Sequence, residues 1–222
     1  MVCYTAVTGG YDSVKDPLYV TPGVDYVCFS DRPFPGNTKV WKFQDIPEEL
    51  DGLDDVRRQR VVKICPHRYL DPKYGVSIWI DGNVLVTGDL QELVSQYDLE
   101  KYPLYTRIHP GRKCVYEEAK AVLGLNKESR DVVDKVVSRY KAEGFPRKIG
   151  LAETCVLLRR HNERSCRLFG EAWAAEVLLN SKRDQLSFNY VAWKRKFMIG
   201  YMTNEFRVNE NPFFRLLPHG RG

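Results

Sequence analysis

Apolar and polar positions along this chain follow two periods, and segments of the two kinds interleave. Residues 2–8 (VCYTAVT) and 25–30 (DYVCFS) are short β-rich runs that give way to turn chemistry, Gly9-Gly10 after the first and Asp31 with Pro33 and Pro35 after the second. Both read as strands ending at one rim. Residues 38–43 predict a third strand. Asp54 and Asp55 then offer an N-terminal cap for a helix over 56–65 that Pro66 stops. Further strands are expected over 76–81, 103–108 and 154–159, with helices over 89–97, 115–125, 129–144, 162–179 and 183–195. No internal repeat or low-complexity linker interrupts the series. Strands interleaved with helices imply an α/β fold, a mostly parallel central sheet flanked by helices on both faces.

Composition narrows the class. With 222 residues, 43% of them hydrophobic, the chain can build one substantial core, and a single domain over 1–222 is expected. No run approaches the ~18–20 apolar residues of a membrane span, and the start MVCYTAVTGG lacks the basic-then-apolar layout of a signal peptide, so a cytoplasmic location is expected. The six cysteines are scattered without a CxxC pair and mostly lie in apolar runs, which argues against a zinc site or a disulfide framework. A net charge of +5 suits an anionic small ligand without calling for nucleic acid.

One segment breaks its own pattern. In SIWIDGNVLV (77–86) an apolar run stops at Asp81, Gly82 and Asn83 before Val84, Leu85 and Val86 resume. A plain turn has this composition. In open α/β sheets, however, ligands bind outside the carboxyl ends of the strands. There Asp81 and Asn83 can offer oxygens to Mg2+ or Mn2+, while Gly82 lets backbone approach a phosphate. The helix before this strand carries Arg57, Arg60 and Lys63 at a spacing of three, a row that suits either a pyrophosphate or a solvated face. Arg58 falls within the apolar stripe, as a structural arginine or a ligand contact. His67 is similarly ambiguous, whereas His109 and His161 read as structural or surface residues. Glu153, just ahead of a buried strand, is a candidate to orient an acceptor hydroxyl or act as general base.

Several blocks, in order, carry a resemblance: YTAVTGGYDSVKDP, RVVKICPHRYLDPKYGVSIWIDGNVLV, HPGRKCVYEEA, LAETCVLLRRHN and SKRDQLSFNY. Together they resemble the turgor-regulation-defect and mucilage-related glycosyltransferase-like family, which is similar to the GT-A fold glycosyltransferases, particularly family 8. In those enzymes a D-x-D signature after a central strand holds a divalent metal and the diphosphate of a nucleotide sugar. The resemblance places Asp81 and Asn83 at that signature. Asn83 replaces the second Asp and removes one formal negative charge, and Asn83→Asp is expected to be tolerated. The resemblance further implies that the loop TGGYD (8–12), with Thr8, Gly9, Gly10 and Tyr11, holds the nucleotide, that Asp31 contacts base or ribose, and that His219 is a third metal ligand, a frayed tail being the alternative. It also puts the pair Asp184 and Gln185 beside the transferred sugar. Asp184 could instead cap a helix.

The reading that results is a metal-assisted glycosyltransferase, passing a hexosyl or pentosyl group from a nucleotide diphosphate sugar, UDP-sugar first, to a glycan or other hydroxyl acceptor. A metal-dependent hydrolase and a non-catalytic nucleotide-sugar binding module are the alternatives.

Overall fold

In a computed structural model of the chain, residues 1–32, 38–203 and 211–219 are described. The prolines expected to turn the chain after the second strand, Pro33 and Pro35, lie outside them. The first two strands are β1 (Val2–Val7) and β2 (Asp25–Ser30), both buried almost throughout. The third, β3, is Lys42–Asp45 rather than 38–43. Its four residues are all exposed, and Trp41 just before it supplies the burial instead, edge-on to Tyr26 with its Nε1 donating to the Lys15 carbonyl. A packing residue ahead of the strand had shifted the apparent register.

Helix α1 spans Asp55–Ile64, capped by Asp54, whose carboxylate accepts from the Arg57 amide. Pro66 does end this helix, but it also opens the short α2 (Pro66–Tyr69), where its missing N–H costs nothing. Then come β4 (Ser77–Ile80), β5 (Val84–Val86), α3 (Leu90–Ser95), β6 (Leu104–Ile108), α4 (Val115–Gly124) and α5 (Arg130–Ala142). The chain continues through β7 (Ala152–Arg159), α6 (Arg164–Leu179), α7 (Asp184–Arg195), β8 (Gly200–Met202) and β9 (Phe214–Leu216).

Seven strands form one sheet in the order β3-β2-β1-β4-β7-β6-β8, and β5 pairs with β9 in a separate antiparallel ribbon. The pairs β2–β3, β1–β2, β1–β4 and β6–β8 are parallel. Only β7 is reversed, antiparallel to β4 on one side and β6 on the other. The sheet is therefore mostly parallel, with one inverted strand near its middle. One face carries a core built from Trp79, Trp173, Phe188 and Tyr190 with α1, α4, α5, α6 and α7. The other is covered by α3 and the β5–β9 ribbon through Ile78, Val86, Leu90 and Phe214. All six cysteines are free thiols. Among the described residues no helix is long and apolar enough to cross a membrane.

Candidate active site

Because β7 runs against its neighbours, its first residues lie at the rim where β1 and β4 end. The backbone N–H of Asp81 donates to the Cys155 carbonyl at 2.9 Å, which sets Asp81 beside Glu153 and Thr154. Two groups donate to the same Asp81 oxygen, Oδ1: Trp79 Nε1 at 2.8 Å and Lys63 Nζ at 3.2 Å. Lys63, whose side chain is 1% exposed, also reaches Asp184 at 2.7 Å and Thr154 Oγ1 at 3.2 Å. Arg60 Nε is 3.0 Å from the other Asp184 oxygen, and Thr154 Oγ1 donates to Asp184 Oδ2 at 2.9 Å. Burial alone would push the Asp184 carboxyl up. Arg60, Lys63 and Arg183 outweigh it and hold the group well below the ordinary carboxylate range. Asp184 is thus an anion locked among cations. It does not cap α7, whose N-cap is Arg183 with no side-chain bond.

The loop after β1 is shaped by its glycines. Gly9 and Gly10 adopt φ of 63° and 65°, where a side chain is strained, and a Cβ on Gly9 would collide with Asp55. The Asp31 carboxylate accepts from the Gly9 N–H at 2.9 Å and from Arg58 at 3.0 Å, so it tethers this loop from behind and does not line the cavity. Thr8 Oγ1 donates to the Asp55 carbonyl, which leaves Tyr11, 58% exposed, at the loop tip. Gly82 permits close approach, though to Asp12: a Cβ there would lie 3.0 Å from the Asp12 Cβ.

Asn83 is tied to the chain's last strand. Its Nδ2 donates to the Leu217 carbonyl at 2.9 Å, and the Leu217 N–H returns a bond to the Asn83 carbonyl. An aspartate side chain has no N–H to offer and would face that carbonyl, which gives a reason to expect Asn83→Asp to disturb this contact. The ribbon then delivers His219 to the front loop, with Nδ1 3.1 Å from Asp12 Oδ1 and its ring 5.1 Å from that of Tyr11.

These residues surround one cavity of about 510 Å3. Thr8, Gly9, Tyr11, Arg60, Lys63, Asp81, Gly82, Asn83, Glu153, Asp184, Gln185 and His219 all line it. Gly10, Asp31 and Arg57 do not. Arg57 points off the row to the end of α6, donating to the Val177 and Asn180 carbonyls and pairing with Asp54. Sequence reasoning included Asp12 only as the end of the 8–12 loop and missed Arg112, Lys127 and Arg183, which arrive by tertiary packing alone. The buried Nε of Arg183 and Nε2 of Gln185 have no hydrogen-bond partner among the described residues, as donors awaiting a ligand would. Among the described residues six cations (Arg60, Lys63, Arg112, Lys127, Lys182, Arg183) meet six carboxylates (Asp12, Asp55, Asp81, Glu118, Glu153, Asp184), so this lining is formally neutral.

The residue set fits a hard divalent cation. Among the described residues the hydrogen bonds engage one atom of each candidate ligand and leave the other: Asp81 Oδ2, Asn83 Oδ1 and His219 Nε2. A carboxylate on the far nitrogen of a histidine is the usual support of a metal-binding imidazole. A second group, Cys65, His67 and Glu171, clusters at the end of α1, outside the cavity lining. There Glu171 is already engaged by both His67 and Arg68, and burial pushes the Cys65 thiol up to about 12.

The sheet order, its single reversed strand and a polar rim fed by the ends of β1, β4 and β7 define a glycosyltransferase fold of the GT-A type. Mouse xyloside xylosyltransferase 1 superimposes with a TM-score of 0.53 at 11% identity, over 90% of this chain and 84% of that one. The bifunctional glycosyltransferase WbbM gives 0.52 at 9% identity, over 90% of this chain and 38% of that one. At such identities the likeness is one of fold. The chain belongs to the TOD1/MUCI70 family of glycosyltransferase-like domains, whose profile matches residues 35–219. No curated protein sequence matches it.

Proposed function

We propose that residues 1–222 form a single glycosyltransferase unit that takes its sugar from a nucleotide diphosphate donor, a UDP-sugar, and passes it to a hydroxyl of a glycan, with Mn2+ or Mg2+ bound. The observation that carries this reading is the buried Lys63 joining Asp81 to Asp184 on the wall of a cavity whose charges cancel. Such a lining suits a ligand that is itself balanced, a diphosphate accompanied by a divalent cation. Asp81, Asn83 and His219 hold that ion, which when bound supplies Lewis-acid stabilisation to the departing diphosphate.

The chain's own residues do the rest. The Gly9 turn brings backbone close to the nucleotide, and Tyr11 offers an open ring for the base. Arg60 and Lys63, fixed by Asp184, present preorganised positive charge to the phosphates at no cost in reorganisation. Asp184 acts through them as a positioning residue, and the Gln185 Nε2, without a hydrogen-bond partner among the described residues, meets sugar hydroxyls. The acceptor oxygen bonds to the anomeric carbon as the bond from that carbon to the diphosphate oxygen breaks. Its proton passes to Glu153 in an inverting reaction or leaves with the phosphate in a retaining one. The product anomer decides between them.

Calorimetry of UDP binding with and without Mn2+ tests the reading. The intact protein is expected to bind UDP more tightly with Mn2+, and Asp81→Ala to lose that gain while staying folded. Equal affinity in both proteins would sink the assignment. Release of free sugar without any acceptor would point to a hydrolase, and donor binding without turnover to a binding module.

A further inference from the structure

A second cavity of about 940 Å3 opens beside the first. His109 and Arg112 line both, so the two adjoin. The turn that joins them is built by His109, whose Nδ1 accepts from the backbone N–H groups of Gly111 and Arg112 at 3.0 and 2.8 Å. Across the junction Glu153, on the first cavity, pairs with Arg107, on the second, at 3.6 Å.

The charge balance differs sharply between the two. Among the described residues five cations line the second cavity, Arg107, Arg112, Lys113, Arg147 and Lys148, against one carboxylate, Glu117. Partners outside the lining neutralise two of them: Glu153 faces Arg107, and the buried Glu118 faces Arg112. Glu117 accepts from the Lys113 backbone N–H. Among the described residues no carboxylate pairs with the side chains of Lys113, Arg147 or Lys148, and all three are exposed. Arg147 is nonetheless held in place, its guanidinium 5.6 Å from the centre of the Tyr116 ring, while the Tyr116 hydroxyl donates to the Phe145 carbonyl at 2.8 Å. That contact orders the side chain without cancelling its charge. Ile108 and Tyr201 add apolar surface on which the C–H faces of sugar rings pack.

We propose that this cavity is the acceptor subsite and that it selects an anionic glycan, one carrying carboxylate or sulfate groups on the residues next to the accepting hydroxyl. The proposal rests on the donor-site reading for the word acceptor, while the preference for anionic sugars stands on the cavity alone. A neutral glycan would leave Lys113, Arg147 and Lys148 unanswered. An anionic one meets them with charge-assisted bonds while its reactive hydroxyl lies towards Glu153. The volume sits near the top of the range of about 300–1,000 Å3 found for sites that enclose a ligand, which is room for an oligosaccharide and more than one sugar needs.

The test uses the whole chain and three probes on one backbone: cellotetraose, its C6-oxidised tetraglucuronate and its 6-sulfated form, titrated calorimetrically at low and moderate salt. The charged probes should bind more tightly than cellotetraose by about tenfold or more, as two charge-assisted contacts imply, and the advantage should shrink as salt rises. The ranking of uronate against sulfate identifies the anion. Arg147→Glu with Lys148→Glu should abolish the advantage, and the milder Arg147→Gln with Lys148→Gln should reduce it. Both pairs lie on an exposed turn, and melting curves check that they fold. UDP affinity, measured in parallel, should not change in either variant. Equal binding of charged and neutral probes, or an advantage that survives the charge reversal, would overturn the proposal. Charged probes binding as expected while UDP fails to bind would uphold the basic cavity and remove only the donor reading.

Discussion

Lys63 places an ammonium group where water does not reach, and its two carboxylate neighbours have unequal parts in keeping it there. Asp184 is as buried as Lys63 and also answers Arg60, whereas Asp81 stands at the cavity with its side chain 27% exposed. Asp184→Asn therefore takes the buried counter-charge from Arg60 and Arg183 and leaves Lys63 with Asp81 alone. It is expected to cost about 3–5 kcal/mol of stability, the usual penalty for removing one partner of a buried pair, read as a lower urea midpoint at unchanged slope. Asp81→Ala, whose loss is softened by solvent, should shift the midpoint far less. At Asn83 the structure supplies a reason for an amide in place of a carboxylate, since only the amide donates to the Leu217 carbonyl. Asn83→Asp is expected to weaken Mn2+-dependent UDP binding, which titration against Mn2+ checks. Tightened binding would mean the Leu217 contact is dispensable.

Among the elements, the β5–β9 ribbon has the largest consequence for its size, because it joins Asn83 to His219 across the length of the chain. Gly88, just past β5, lies directly against the Pro212 carbonyl with no space for a methyl group. Gly88→Ala should push β9 outward at a cost of about 1–3 kcal/mol, as overpacking does, and move His219 off Asp12. The expected readout is a loss of the Mn2+-dependent part of UDP affinity with the circular dichroism of the main sheet retained; unchanged Mn2+ dependence would release His219 from its role. The ribbon was not legible in the sequence. Its strands VLV and FRL are three residues each, too short to show a period, and the same is true of GYM, the β8 strand at the edge of the main sheet. The long helices and the strands around Tyr4, Phe29, Trp79 and Leu157 were legible, because their burial is continuous and their ends carry caps or turns. Asp81 and Glu153 could be picked out for a related reason, each being an acid placed at the edge of an apolar run, whereas Asp184 was singled out only by the family resemblance. Arg57 shared a spacing with Arg60 and Lys63 but was drawn off by the α6 carbonyls, a tertiary contact that no helical wheel contains.

For the molecule as a whole, acid stability should carry the signature of one histidine. His161 is 1% exposed, and neither ring nitrogen has a hydrogen-bond partner among the described residues. Burial first, then the charges of Arg159 and His67, push its pKa from 6.5 down to about 4. The fold therefore favours the neutral ring. This contribution is complete above about pH 6.5 and is lost as pH falls towards 4, where the unfolded chain binds a proton that the folded one refuses. The difference is worth on the order of 3 kcal/mol. His161→Leu should flatten the fall of denaturation midpoint between pH 7 and pH 4, and a slope identical to that of the parent protein would assign the effect elsewhere. Strand direction was equally hidden from the sequence, since a strand buried on both faces reads the same whichever way it runs, and so the inversion of β7 emerged only from its pairing. That inversion changes how the protein can diversify. At β1 and β4 the working residues follow a strand, so altering them means altering what the chain does after crossing the sheet. At β7 they begin the strand, and the segment from Gly144 to Leu151 leads in from outside with Arg147 and Lys148 on it. On the proposed acceptor reading, exchanging that entry segment between relatives should transplant a preference for acceptors as a module while leaving the proposed nucleotide side unchanged.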